Sequence, residues 1–517
     1  CTNLDVDVES QYTEYPTNEI AVEAKMADVY YQMRDVFGRR YMEAQALSSD
    51  EYTAVSYGGG WYDSGAYAHP SLHNYTYEDA TIDWMGQLTS GITKANKIII
   101  ELGSNEAGAT VAPARAMRAF FHFILMDCWG DAPILDHAMA EGETIDRSPR
   151  ADVARFIESE LKEIIPQLTD EVNANTYGKP TKWMAEALLA KIYINWPVYT
   201  AASVDLYDAA TAKNEKLNDC IALCDDIIKS GKFNLGSMSY SKKFGPDNGS
   251  HVEDFIYVMP YDTYTAQGMQ YGRSRCWKDI KSCAKSYFGM KLSQSGGGYI
   301  TMTPEFASLF NLEGDQRNNC VIGGTVHVYD PKTYLPTDEI AVDKNGNPIV
   351  LTKEITLVKE GDIELGVGDN INGYSQGYRS VKFFVIDDDF KNGRNQSNDL
   401  PIFRYADILL TKAEAIVRGG SATNGDTAMS LFNEIRSYVT APTIDHTPSL
   451  QELLDEREFL DENWRRNDMI RFGTFESEFF PHYKGFPTAN FDKTRRIFPL
   501  HKDIMNTNPN WKQNPGY

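Results

Sequence analysis

At 517 residues the chain exceeds the usual span of one domain, leaving room for several domains or one large fold. Hydrophobic residues at 42% and charged residues at 24% supply a core and argue against disorder. A net charge of −23 with no Lys/Arg run excludes a binder of phosphate backbones and disfavours electrostatic docking on anionic lipid.

The chain opens Cys1-Thr2-Asn3-Leu4, the form of a mature bacterial lipoprotein acylated on Cys1. No apolar run of 18 residues follows, so acyl chains rather than a spanning helix are the expected attachment. Six further cysteines, Cys128, Cys220, Cys224, Cys276, Cys283 and Cys320, are too few for a disulfide framework in a chain this long. Cys220 and Cys224 share a helical spacing but lack the two further ligands of a zinc site, so buried free thiols are expected.

Residues 1–232 carry apolar residues at helical spacing over 20–37, 80–103, 113–129, 150–168, 179–196 and 213–230. Asp79, Asp83 and Pro180 are plausible helix starts. The run Trp183 to Ala190 sets one large ring among alanines, which allows close helix approach. Recurrent pairing of this kind predicts a mostly α fold built of stacked tetratricopeptide-like helix pairs.

Residues 233–400 change character. Gly, Ser, Tyr and Asp punctuate short apolar runs such as Phe255-Ile256-Tyr257-Val258 and Val326-His327-Val328-Tyr329, predicting a loop-rich region with small sheets that displays binding groups. The stretch Asp343 to Pro348 half-matches a calcium loop, but Pro348 stands where that loop requires Gly, so a hairpin turn is predicted. Helices are expected again over 404–418, 425–439 and 448–471, within a C-terminal part spanning 401–517 that packs on the helical scaffold.

Five stretches taken together resemble the SusD/RagB family of outer-membrane nutrient-binding lipoproteins. The first is Arg115, Arg118 and Phe121 leading to Trp129-Gly130-Asp131 and Pro133; the second is Pro180-Thr181-Lys182 with its Ala-rich helix. The third is Pro401, Arg404-Tyr405-Ala406-Asp407 with Ala413-Glu414-Ala415. The fourth is Glu456-Arg457-Glu458 with Arg466, Asp468 and Arg471-Phe472-Gly473, and the last runs from Asn508-Pro509 to Gln513-Asn514-Pro515-Gly516-Tyr517. Pro499-Leu500-His501 departs from the family's usual step, in a terminal loop. The acidic residues Asp5, Asp7 and Glu9 are similar to the export tags of surface lipoproteins in the Bacteroidetes.

The resemblance implies four tetratricopeptide-like helix pairs in one integrated fold and a cell-surface, lipid-anchored place at the outer membrane. It further implies an oligosaccharide or polysaccharide ligand and a SusC-like TonB-dependent transporter as partner, over which the protein sits as a substrate-capturing lid. Two alternatives stand beside glycan delivery: a structural lid whose transporter does the recognising, and a binder of another polymer such as peptide.

The charged block from Glu456 to Arg471 offers carboxyls to a glycosidase reading, but each acid has an Arg within a helical turn, which predicts a salt-bridge network. The nine His residues show no metal spacing, and no nucleophile elbow, phosphate loop or dinucleotide fingerprint occurs; no enzyme activity, metal or cofactor is expected. Sugar binding wants rings in polar, loop-rich settings. The stretch Ser56-Tyr57-Gly58-Gly59-Gly60-Trp61-Tyr62-Asp63, preceded by Asp50, displays Trp61; Trp84 with Gln87 one turn on supplies a ring and an amide; Trp277 lies among Arg273, Arg275 and Lys278; and Arg379 follows Gly377-Tyr378. The expected ligand-binding set is therefore Asp50, Trp61, Trp84, Gln87, Trp277 and Arg379, with core packing the rival role for the rings.

Overall fold

The computed structural model describes residues 18–103, 108–271, 300–342, 345–359, 361–369, 371–386, 389, 391–393, 395–476, 489–490 and 492–517. Helices dominate. In the N-terminal part they are α1 (Asn18–Tyr30), α2 (Tyr41–Leu47), α3 (Met85–Leu102), α4 (Ala112–Trp129), α5 (Arg150–Ile164), α6 (Lys182–Ile194) and α7 (Leu217–Lys229). Toward the C-terminus follow α8 (Tyr405–Val417), α9 (Ala428–Tyr438), α10 (Leu450–Glu458) and α11 (Arg465–Phe472). Helix packs on helix along the series α3–α4–α5, and α7 lies between α6 and α8, so the late helices continue the stack begun by the early ones.

Most predicted helices survive with trimmed ends, and several are divided. The 448–471 pattern splits into α10 and α11 because Asp461 and Asn463 take left-handed backbone, with φ of 46° and 71°, which no helix interior accepts. The 80–103 pattern yields a short 3-10 turn, Ala80–Ile82, before α3 begins at Met85. Pro180 does precede a helix, but the cap is Thr181, whose hydroxyl accepts the Met184 amide.

The strands are short. β1 (Tyr52–Ala54) pairs antiparallel with β3 (Ile300–Met302), and β2 (Phe255–Met259) pairs antiparallel with β4 (Leu400–Arg404). Three further two-stranded pairs form between 321 and 380, around a satellite core that includes Ile322, Tyr329, Leu351 and Phe384. The turn predicted near 343–348 has Gly346 left-handed and Val342 bridging to Pro348. The large core is otherwise continuous from α1 to Trp511. Cys128, Cys220, Cys224 and Cys320 are buried free thiols; Cys1, Cys276 and Cys283 lie outside the described residues.

The late helices are joined through charge. The Glu414 carboxylate on α8 accepts from Arg457 Nε (2.8 Å) on α10, from Arg471 Nε (2.7 Å) on α11 and from Arg418 Nε (2.8 Å). Asp407, two turns earlier on the same face of α8, takes Lys191 Nζ of α6 at 2.6 Å and Arg457 Nη1 at 2.9 Å. Arg404 ends β4 and reaches Asp254 at 2.6 Å as well as Glu462. Burial would raise the carboxyls of Glu414 and Asp407, yet the neighbouring cations hold both far below the ordinary range.

Removing a partner from such a site leaves buried charge uncompensated. Glu414→Ala is expected to cost about 3–5 kcal/mol in a urea-unfolding measurement, and a loss under about 1 kcal/mol is the contrary outcome. The pH dependence has a fixed sign. Carboxyls depressed in the folded state contribute stability that is present above their unfolded values and disappears as pH falls. Urea midpoints should therefore drop steeply below about pH 4, and Glu414→Gln should flatten that drop.

Candidate functional site

Beyond β1 the chain forms a loop over 55–68, still buried at Val55 and Ser56 and first exposed at Gly58. Its backbone is unusual: Gly58, Gly59 and Gly65 have positive φ, and so do Trp61 (60°), Asp63 (49°) and Ser64 (57°). A bulky side chain in that region costs roughly 1–2 kcal/mol, so the conformation must be imposed by its surroundings.

The imposing element is a remote segment, 361–369. Ser56 N–H donates to Leu365 O (3.0 Å), Val367 N–H to Ser56 O (2.9 Å) and Gly58 N–H to Gly368 O (2.9 Å), with a parallel bridge between Ser56 and Gly366. Two phenols complete the clamp, Tyr57 donating to Asp369 O at 2.8 Å and Tyr62 to Asp362 O at 3.1 Å. Beneath the loop lies His69; a Cβ on Gly65 would stand 2.5 Å from its Nε2, so only glycine fits.

The Trp61 ring stacks on Tyr67 with centroids 4.1 Å apart and an interplanar angle of 15°. Tyr67 is buried, and its hydroxyl receives Arg39 Nη2 at 2.7 Å and Arg40 Nη1 at 3.1 Å. Trp61 itself is half-buried, so the surface it exposes is on the side away from Tyr67. Asp63 and Ser64 are exposed beside it, as are Asp362 and Asp369 on the clamping segment. This is a ring on a rigid footing, edged with hydrogen-bonding groups.

The other predicted residues do not gather here. Trp84 is 1% exposed; as the residue before α3 it turns inward, donates to Thr81 O at 2.8 Å and meets Tyr41 and Trp129 edge-on. It is a core ring, a correction to its expected display. Gln87 on α3 is exposed, so the ring and amide expected to act together face opposite ways. Arg379 is also corrected: it is 3% exposed, with Nη1 donating to Gln376 O (2.8 Å) and Nη2 to Tyr374 O (3.0 Å), so it braces a turn.

Asp50 is engaged by Arg465 through two bonds of 2.7 and 2.9 Å. Burial would raise its carboxyl, but the Arg465 charge holds it low, and its task is to anchor the loop root to α11. Trp277 lies outside the described residues. Tyr57 and Tyr62 bear on the site through their clamping phenols. Segment 361–369 gave no signal in the sequence, having neither ring nor motif. Two concavities of about 220 and 300 Å³ elsewhere, one by Asn173 and Tyr177 and one by Tyr207 and Lys213, contain none of these six residues.

Residues 257–517 match the model of the SusD family, and residues 4–194 match a model described as starch-binding, associating with the outer membrane. The chain belongs to the SusD family. Starch-binding protein SusD of Bacteroides thetaiotaomicron is 25% identical over 426 residues, covering 78% of this chain and 72% of that protein. Among solved structures, a SusD homolog from the same organism superposes with a TM-score of 0.71 at 17% identity, covering 98% of this chain and 99% of its own. Surface glycan-binding protein A of B. thetaiotaomicron, solved in complex with laminarihexaose, superposes with a TM-score of 0.69 at 18% identity, covering 96% of this chain and 99% of that one. The SusD-type fold, mostly helical with small sheets, is the architecture described above.

Two outcomes follow for this SusD-family chain. Trp84→Ala should destabilise the protein by about 3–5 kcal/mol in chemical unfolding, as loss of a buried Trp does. A near-unchanged midpoint would contradict its core placement. His69 provides the second. Its Nδ1 lies 2.9 Å from Asp79 and its Nε2 3.9 Å from Glu364. Burial alone would lower the imidazole, but the Asp79 hydrogen bond and charge, with Glu364 behind, raise it. A raised folded value gives stability that is complete below the unfolded value of about 6.5 and is lost as pH rises through the folded one. The melting-temperature gap between wild type and His69→Gln should therefore shrink from pH 6 toward pH 9; a gap that widens would reverse the assignment.

Proposed function

We propose that this protein is a cell-surface glycan-binding lipoprotein that captures oligosaccharide or polysaccharide on the Trp61 platform and passes it to a SusC-like TonB-dependent outer-membrane transporter. The observation that carries the reading is SusD-family membership across both parts of the chain, supported by relatives whose names record starch binding and a laminarihexaose complex. The platform supplies the physics. The apolar face of a sugar ring displaces water from Trp61, while Asp63 and neighbouring polar groups accept its hydroxyl protons.

Binding proceeds without bond-breaking. A glycosidase holds two carboxyls about 5–10 Å apart across a sugar. Here the acids Asp407, Glu414, Glu456, Asp468 and Asp50 are each engaged by a guanidinium inside the fold. A shallow site that must order a flexible polymer gives micromolar to millimolar affinity, weak enough to release cargo to a transporter. Anchoring through acyl chains on Cys1 belongs to the same proposal, and radiolabelled palmitate that fails to enter the full-length precursor expressed in a Bacteroides host would remove it.

Calorimetry with soluble starch and laminarin tests the binding step. Trp61→Ala is expected to weaken whichever polymer binds by at least about tenfold, equivalent to about 1.4 kcal/mol, with the fold intact by circular dichroism. Equal affinity in the variant would overturn the platform, and wild-type protein that binds neither these nor a wider glycan array would favour the structural-lid alternative.

A further inference from the structure

The rim of the Trp61 platform has a charge pattern that bears on which glycans it accepts. Asp63 is exposed two residues after Trp61 in a left-handed turn. On the clamping segment, Asp362 and Asp369 are exposed, and their backbone carbonyls receive the hydroxyls of Tyr62 and Tyr57, which fixes both residues at the edge of the loop. Glu364 lies between them, near His69. Four carboxylates therefore stand on the Trp61 loop and on the segment that clamps it, Glu364 being the one with a cation-forming neighbour in His69.

The cations nearby are arranged differently. Arg39 and Arg40 bond the Tyr67 hydroxyl and are paired with the buried Glu43 at 3.0 and 2.9 Å, which offsets part of their charge. Lys359 is exposed just before the clamping segment, and its neighbour Val358 donates its N–H to Gly366 O. Among the described residues no ion pair is formed by Asp63, Asp362 or Asp369, so their charge is not cancelled locally. The whole chain adds to the sign, with a net charge of −23.

We infer that the platform selects uncharged glycans and rejects polyanionic ones, with Asp63, Asp362, Glu364 and Asp369 as the residues that set this preference. The inference rests on the reading of Trp61 as the sugar platform. A neutral sugar offers hydroxyl donors, and a carboxylate is the strongest acceptor available for them. A uronic acid or sulfate ester brings a like charge to the same rim. In a water-like medium a like charge about 7 Å away weakens binding roughly threefold for each carboxylate, so three or four compound to at least about tenfold. The effect weakens with salt, since the screening length is about 10 Å at 0.1 M.

The experiment compares polymers that differ in charge and little else: hydroxyethyl-starch against carboxymethyl-starch of equal substitution, with laminarin against carboxymethyl-laminarin as a second pair. Affinity is measured by calorimetry on the full chain at low and high salt. Wild type should hold the neutral member of a pair at least about tenfold more tightly at low salt, and the gap should contract at high salt. The triple variant Asp63→Asn, Asp362→Asn, Asp369→Asn should narrow the gap to within about threefold. Asn suits the left-handed backbone at Asp63, so the loop geometry is kept.

Equal affinity for both members in wild type, or a gap that survives intact in the triple variant, overturns the inference. Neutral-polymer binding that survives Trp61→Ala overturns the platform reading itself, a result read without any charged ligand. A chain that holds none of the four polymers and no member of a wider glycan array overturns both.

Discussion

A carboxylate ringed by three guanidinium groups is an arrangement that a fold can neither open nor shift by small steps. Glu414 is that carboxylate, and Arg457, Arg471 and Arg418 are its partners. Through Arg457 and Asp407 the same cluster reaches Lys191 on α6, so four helices share one set of charges. Burying them is expensive, and an apolar core of equal shape could be as stable; what the ions add is geometry, because each bond has a fixed direction. We take that directional constraint as the frame on which the rest is hung.

The frame extends to the candidate site. The link between α10 and α11 and the first residue of α11 hold β1 and its approach: Asp461 accepts the Tyr52 hydroxyl at 2.8 Å, and Arg465 grips Asp50 two residues before the strand. The loop that carries Trp61 grows directly from that strand. Its strained backbone thus starts from an immobile root and is pinned at its tip by segment 361–369. A ring held at both ends loses little rotational freedom when a ligand lands, which favours binding even over a small contact area.

Periodicity made the helices legible, since a 3.6-residue apolar repeat is local information. So was the salt-bridge role of the 456–471 block, although apart from Arg471 and Asp468 its pairs reach mostly to remote partners such as Arg317, Glu414 and Asp50. What could not be read was direction at isolated positions. Trp61 and Trp84 are the same residue type in similar polar company, yet one is displayed and the other is 1% exposed. The difference lies in Trp129 and Tyr41, which receive Trp84 and are remote in sequence. Asp50 resembled a sugar-binding acid because its partner Arg465 is 415 residues away. Arg379 resembled a ligand-binding cation because its acceptors are backbone carbonyls, which leave no trace in side-chain identity.

The clamp on the Trp61 loop joins residues such as Tyr62 and Asp362 that are separated by 300 positions. The footing of the ring therefore rests on long-range contacts, which exist only when β1 and segment 361–369 have been brought together. A chain that ends before segment 361–369 carries Trp61 but lacks the segment that pins its loop. If the proposed platform holds sugar, capture would double as a check on completeness, because the ring is framed only when both parts of the fold are present.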